Sequence, residues 1–175
     1  MTAQRLARPD PSEYASFYAA YIAGVPEGDL LGLLERQLEE HAALLTGVPD
    51  TRGDFAYAPG KWTLKEVLGH VVDAERVFSY RALRFARADA TPLAPFDENA
   101  WVPNSGARGR SLRDLIAELR AVRTATLALL RALPAGADTR RGIASGNEVS
   151  VRALAWIIAG HERHHFRLIR ERYLD

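Results

Sequence analysis

The chain has 175 residues, 47% hydrophobic and 26% charged, with a net charge of +1; these are the proportions of one soluble globular domain with a sizeable core. Near-neutrality argues against nucleic acid held by a broad basic field, and the short basic stretch Arg108, Arg110, Arg113 reads as a solvated loop and helix start. The absence of cysteine excludes disulfides, Cys-ligated zinc, iron–sulfur clusters and a cysteine nucleophile, so any metal must be held by His, Asp or Glu.

Residues 1–24 read as a lead-in to a single domain spanning 1–175. Met1 to Ser12 is polar, carries two prolines and lacks the apolar stretch of a secretory signal. A short helix is predicted over 11–23. A first long helix is predicted over 27–46, with Leu30, Leu33, Leu34, Leu38, Leu44 and Leu45 on its apolar side, stopped by Gly47-Val48-Pro49. The second begins at a capping box, Thr63-Leu64-Lys65-Glu66, with Trp62 and Val67 placed as a hydrophobic staple, and runs to about residue 88.

A long connection follows over 89–110, containing Pro92, Pro95, Pro103, Gly106 and Gly109. Loops beyond about 15 residues are uncommon in compact domains and often act as crossovers or lids. Ser111 caps a third helix running to about 133, with Asp114 suitably placed for the helix dipole. After Pro134-Ala135-Gly136 comes a polar turn region with Gly142, Gly146 and Asn147. Ser150 then caps a fourth helix running nearly to Asp175. No stretch shows sustained strand alternation. The longest apolar window, 153–160, spans about two helical turns and cannot cross a bilayer. The expectation is an all-α four-helix bundle of a cytoplasmic protein, without membrane contact. The short 1–2 and 3–4 links would make antiparallel neighbours, and the 2–3 crossover gives up-down-down-up order.

The fourth helix carries His161-Glu162-Arg163-His164-His165. His161 and His165 lie about 40° apart around the helix and one turn apart along it, so both imidazoles can reach one ion. They fall on a seam with Leu154, Ile158 and Leu168, whereas His164 sits on its flank and Glu162 points further away. In the second helix His70 lies among Val67, Val71, Ala74 and Val77, again on the inward side. A lone histidine on an apolar face is usually a buried, hydrogen-bonded residue. Two neighbouring buried imidazoles carry a desolvation cost that a metal offsets, and His70 supplies a facing third. Three neutral nitrogens suit zinc, nickel or iron(II) and leave positions open for water or substrate. His41, which continues the Leu34–Leu38 line, reads as a boundary histidine with ligation as its alternative.

The same string matches H-E-x-x-H of the zincin peptidases. Only ten residues follow His165, on the same helix, and Glu171 cannot fold back to supply the third ligand. No strand is predicted to hold a peptide. The motif reads as half of a bundle-core site.

The chain resembles the DinB/YfiT-like superfamily of bacterial four-helix metalloproteins. The resemblance rests on Trp62-Thr63, Glu66-Val67-Leu68-Gly69-His70, Asp73 and Glu75-Arg76, then Phe96-Asp97-Glu98-Asn99-Ala100-Trp101, then Gly160-His161-Glu162-Arg163-His164-His165. It covers nearly the whole chain. It implies an up-down-down-up bundle with ligands at His70, His161 and His165, a metal-dependent role and a homodimer, with no DNA-binding surface. Relatives include thiol S-transferases using low-molecular-weight thiols such as bacillithiol, a mycothiol-dependent isomerase, and members described as metal-dependent hydrolases. Mycothiol-linked relatives use a carboxylate as one ligand, so three histidines look closer to the YfiT-like branch.

The leading expectation is a transferase joining a thiol to a small electrophile at a divalent metal, zinc or nickel before iron. Hydrolysis of a small substrate at the same site, or metal and small-ligand binding without catalysis, are the alternatives. Asp73 and Glu75 are candidate bases or partners of the ligands, with surface or helix-pairing carboxylates as the plainer reading. Asp97, Asn99 and Trp101 are candidates for the mouth of the site, with Trp101 alternatively a plug at the bundle end.

Overall fold

The computed structural model describes residues 6–174; residues 1–5 of the lead-in and Asp175 lie outside that span. The lead-in is not one helix. Two 3-10 turns, Pro11–Glu13 and Ser16–Tyr18, precede a short helix α1 (Ala19–Ala23). Asp10 caps the first turn, and extended backbone at Tyr14 (φ −155°, ψ 157°) breaks the path. The buried Glu13 carboxylate accepts from Ser150 Oγ and Arg152 Nε, both at 2.7 Å, which fastens this segment to the domain.

Four long helices follow: α2 (Leu30–Thr46), α4 (Leu64–Ala86), α6 (Leu112–Arg131) and α7 (Val151–Ile169). One-turn helices α3 (Asp50–Gly53) and α5 (Glu98–Trp101) lie in the connections. The expected caps form: Thr63 and Glu66 close a reciprocal box, and Ser111 and Ser150 accept from Asp114 N and Ala153 N. Beyond Ile169 the fourth helix does not continue as α but passes into a π-helical stretch, Arg170–Leu174. No helix among the described residues is long and apolar enough to cross a membrane.

The core divides into two apolar clusters, and they fix the helix directions. One gathers the starts of α2 and α7 (Leu30, Leu34, Leu154, Ile158) with the ends of α4 and α6 (Phe85, Leu130). The other gathers the ends of α2 and α7 (Leu45, Phe166) with the starts of α4 and α6 (Leu64, Leu112). The helices therefore run up-down-down-up. Among the four long helices, the most extensive packing is of α4 on α7 and α6, and of α2 on α6 and α7. Helices joined by the shorter links, α2 with α4 and α6 with α7, thus face each other across the bundle. The expectation that they would be antiparallel neighbours is corrected. The links of 47–63 and 132–150 are long enough to cross a bundle end.

The 3–4 link also holds a β-hairpin that sequence patterning does not show. Strands β1 (Arg141–Ala144) and β2 (Asn147–Ser150) pair antiparallel, Arg141 opposite Ser150 and Ala144 opposite Asn147. The turn places Ser145 and Gly146 at φ 54° and 75°, the left-handed pair of a tight hairpin. Four-residue strands are too short to display alternation. The long connection joins the hairpin through Leu93, whose N–H donates to Ile143 O (2.9 Å) and whose carbonyl accepts from Ser145 N (3.0 Å).

Between the apolar clusters lies a polar layer at the middle of the bundle. It contains Gln37 and His41 from α2, His70 and Glu75 from α4, Arg123 from α6, and His161 and Glu162 from α7, all buried.

Candidate metal centre

In α4 the capping box sets the helix start, and the apolar stripe of Val67, Val71 and Ala74 turns His70 inward. On α7 the stripe of Leu154 and Ile158 carries His161 to the same level, with His165 one turn on. His70 Nε2 lies 3.0 Å from His161 Nε2, and His165 Nε2 lies 3.1 Å from the same atom. All three ligand nitrogens fall within 4.8 Å of one another. Imidazole nitrogens around a tetrahedral ion at 2.0–2.1 Å are separated by roughly 3.3 Å, and adjacent ones around an octahedral ion by about 3.0 Å. The donor set and its spacing fit a divalent transition ion in either geometry.

The electrostatics favour the ligand form of each ring. Burial pushes the His70 pKa down to about 4, against the opposing charge of Glu98. Burial, then the neighbouring His70 and His164 rings, brings His165 down to about 3. His161, also buried, is lowered well below the usual value by burial and by the surrounding imidazoles. At neutral pH the rings are therefore neutral, with lone pairs available to a cation.

Aromatic rings wall the cluster. Trp62 lies 5.0 Å from the His70 ring centroid, and Tyr21 and Phe78 stand edge-on to His161 at 5.4 and 5.8 Å. Beside His165 opens a cavity of about 260 Å³, lined by Tyr57, Trp62, Val67, Leu168 and Tyr173, with Lys61 and Asn99 as its polar members. Gly69, next to His70, lets the long connection close over α4: a β-carbon there would lie 2.9 Å from that of Ala107. Arg108 in the same connection donates to Glu66 at 2.7 Å.

The sequence candidates divide clearly. His70, His161 and His165 come together, and Asn99 shares the cavity with His165. Asp97 instead caps α5, accepting from Asn99 N and Ala100 N. Trp101 packs on Phe96 with centroids 5.0 Å apart and is exposed, so it neither lines the cavity nor plugs the bundle end. Glu75 is corrected as a base: lying five residues from His70, it faces α6, where both its oxygens bind Arg123. Asp73 stands outside the three-histidine cluster. Its carboxylate pairs with Arg76 at 3.6 Å, and burial raises its pKa. Among the described residues no carboxylate joins the three-histidine cluster.

Glu162 points away from the ligands, as its place on the helix implies, yet it is buried. Its carboxylate accepts from Arg123 Nη2 at 2.7 Å and from Gln37 Nε2, and meets His41 Nδ1 at 2.8 Å. Burial alone would raise its pKa; Arg123 and His41 outweigh that and hold it at about 2. His41 is thus occupied elsewhere and is not a ligand. His164 stays on the flank, between Tyr21 and His165.

Residues not singled out include Tyr21, Tyr57, Lys61 and Glu98. Glu98 lies close enough to His70 and Tyr21 for its charge to bear on both. Its signal was present, since Glu98 sits between Asp97 and Asn99 in the block quoted above.

The sequence profile of the DinB superfamily matches residues 33–169, more than half of the chain. The chain belongs to the DinB superfamily. Among solved structures it is similar to YfiT from Bacillus subtilis, described as a probable metal-dependent hydrolase with an unusual four-helix bundle topology. That match has a TM-score of 0.70 and 20% identity, and covers 93% of this chain and 89% of YfiT. At that identity the likeness establishes the shared fold. No curated protein matches the sequence.

Proposed function

We propose that this DinB-superfamily chain is a divalent-metal enzyme that transfers a low-molecular-weight thiol to a small electrophile. The observation that carries the reading is the cavity beside the histidine cluster: it is sized for a small molecule, His165 lines it, and no carboxylate joins His165, His70 and His161 among the described residues. A bound divalent ion would supply Lewis acidity, stabilising a thiolate, the nucleophilic form of a thiol, at neutral pH. Such chemistry needs no protein base beside the ligands.

The chain's own residues divide the remaining tasks. His70, His161 and His165 hold the ion; their depressed pKa values keep protons from competing for the same lone pairs. Trp62, Tyr57 and Tyr173 give the electrophile an aromatic wall. Lys61, exposed at the rim, offers an ammonium to the carboxylate that small biological thiols carry, and Asn99 offers an amide. The homodimer implied by the family resemblance belongs to the same proposal and is checked by light scattering.

Hydrolysis of a small substrate is the second reading, favoured by the description of YfiT and by Glu98, the carboxylate whose charge reaches His70. An ion can activate water as it does a thiol.

The test begins with metal analysis of protein purified without a histidine tag. About one divalent ion per chain is expected, lost in His70→Ala and His165→Ala. A folded wild-type protein with no metal, and with no affinity for added zinc or nickel, would overturn the proposal. A panel of thiols with a halogenated arene, run beside an ester or amide panel without thiol, then separates transfer from hydrolysis. Metal without turnover in either panel would leave a binding protein and refute both catalytic readings.

A further inference from the structure

A second face of α7 bears no relation to the three ligands. Arg163, His164, Arg167 and Arg170 run along it and, with Glu40 and His41 of α2, line a cavity of about 440 Å³. Three guanidiniums there face a single carboxylate. Elsewhere arginines are largely paired, as Arg76, Arg110 and Arg120 are with Glu118, Glu118 and Glu39. The guanidiniums of Arg167 and Arg170 make no ion pair or hydrogen bond among the described residues. Arg163 is anchored, its Nε donating to Gly24 O at 3.0 Å.

The rim is fixed by a close approach. Gly160 has no side chain, and a β-carbon there would stand 2.1 Å from Tyr21 O. This lets α1 settle against α7 and bring Gly24 to the cavity edge.

An independent feature lies at the wall. His41 is only 6% exposed, yet it lines the cavity. Its ring stacks on Phe166 at 3.7 Å and 2°, and Glu162 holds its Nδ1 at 2.8 Å. The ring is thus oriented from two sides, and Nε2 has no hydrogen-bond partner among the described residues. With Nδ1–H given to the Glu162 carboxylate, Nε2 of the neutral ring presents a lone pair, which accepts from a ligand hydroxyl beside the clustered guanidiniums.

We propose that this cavity is a second ligand site, which binds a small oxyanion, a phosphate monoester or a dicarboxylate, through the guanidiniums of Arg167 and Arg170, with His41 Nε2 accepting from a hydroxyl of the ligand. The carboxylate of Glu40 on the opposite wall steers the charge toward α7. The site does not depend on a metal at the histidine cluster.

The test is isothermal titration of the full chain with inorganic phosphate and, separately, malonate, each repeated on chelator-treated protein. Saturable binding is expected with at least one probe, unchanged by chelation and weaker as sodium chloride is raised. The stronger probe identifies the ligand's charged group. Arg167→Ala/Arg170→Ala should weaken binding at least about tenfold, whereas Arg87→Ala/Arg113→Ala, which removes the same charge elsewhere, should not. His41→Gln provides a second variant, expected to weaken binding without touching the arginines. Three results would overturn the proposal: no saturation by roughly 10 mM of either probe, equal loss in both arginine pairs, or binding abolished by chelation, which would assign the anion to the metal centre.

Discussion

Arg123 grips Glu75 with two parallel hydrogen bonds, Nε to Oε1 and Nη2 to Oε2, each 2.8 Å long, in a part of the bundle where neither side chain reaches solvent. The same guanidinium donates to Glu162 on α7 and to Leu34 O on α2 at 2.8 Å. One side chain from α6 therefore contacts the other three long helices, two of which carry the histidines. Burial acts against the charged form of Arg123, but the two carboxylates prevail and raise its pKa.

Arg123→Met should destabilise the fold by about 3–5 kcal/mol, because two carboxylates are left buried without their cation. Glu75→Gln/Glu162→Gln in the same background should recover part of that loss. Urea unfolding of the four combinations measures the coupling. Additive losses across the cycle would refute the network.

Stability of the metal-free protein should depend on acidity through His70 and His165. Both have folded-state pKa values below the ordinary 6.5, at about 4 and about 3. Protons then bind the unfolded chain more readily, so the contribution is intact above pH 6.5 and drains away as pH falls toward those values. Melting temperatures of chelated protein should hold between pH 8 and 7 and drop between 6.5 and 4. In His70→Asn the drop should be shallower. A flat profile down to pH 4 would contradict the burial argument.

Gly160→Ala should cost about 1–3 kcal/mol, since the new methyl would collide with Tyr21 O and displace α1. Gly47→Ala is the matched control: nothing lies within 4 Å of its β-carbon position and its φ is −92°, so it should stay within about 0.5 kcal/mol of wild type. Thermal melts of the two variants decide the matter, and equal stabilities would argue against the tight α1–α7 contact.

At the cavity, the three residues of the long connection should differ. Asn99→Ala alters the lining directly and should raise KM for the small substrate. Asp97→Ala removes the cap of α5, costs about 1 kcal/mol and loosens Asn99 with it. Trp101→Ala, exposed and outside the lining, should leave KM unchanged. Steady-state kinetics on the three variants would expose a wrong assignment by any other ranking.

The helices and the histidine cluster were legible because both depend on one helix at a time. Thr63, Ser111 and Ser150 announce helix starts through local hydrogen bonds, and the 3.6-residue period alone turns His70, His161 and His165 inward. Glu162 was legible only by half. Its direction follows from position on α7, but its burial depends on Arg123, Gln37 and His41, which arrive from α6 and α2. Glu75 failed as a base for the same reason: proximity in sequence to His70 says nothing about a guanidinium 48 positions away. The hairpin was hidden by its brevity, and the diagonal links by the fact that loop length bounds reach without choosing a neighbour.

The three histidines proposed as ligands stand far apart along the chain, 91 positions separating His70 from His161. In a partly folded chain, the isolated fourth helix offers an ion only the His161 and His165 pair, and the second helix offers only His70. The full set of three histidines exists only once α4 and α7 have docked, a contact of long sequence separation. An ion held by all three histidines would therefore report that α4 and α7 are docked, and its release that they have parted.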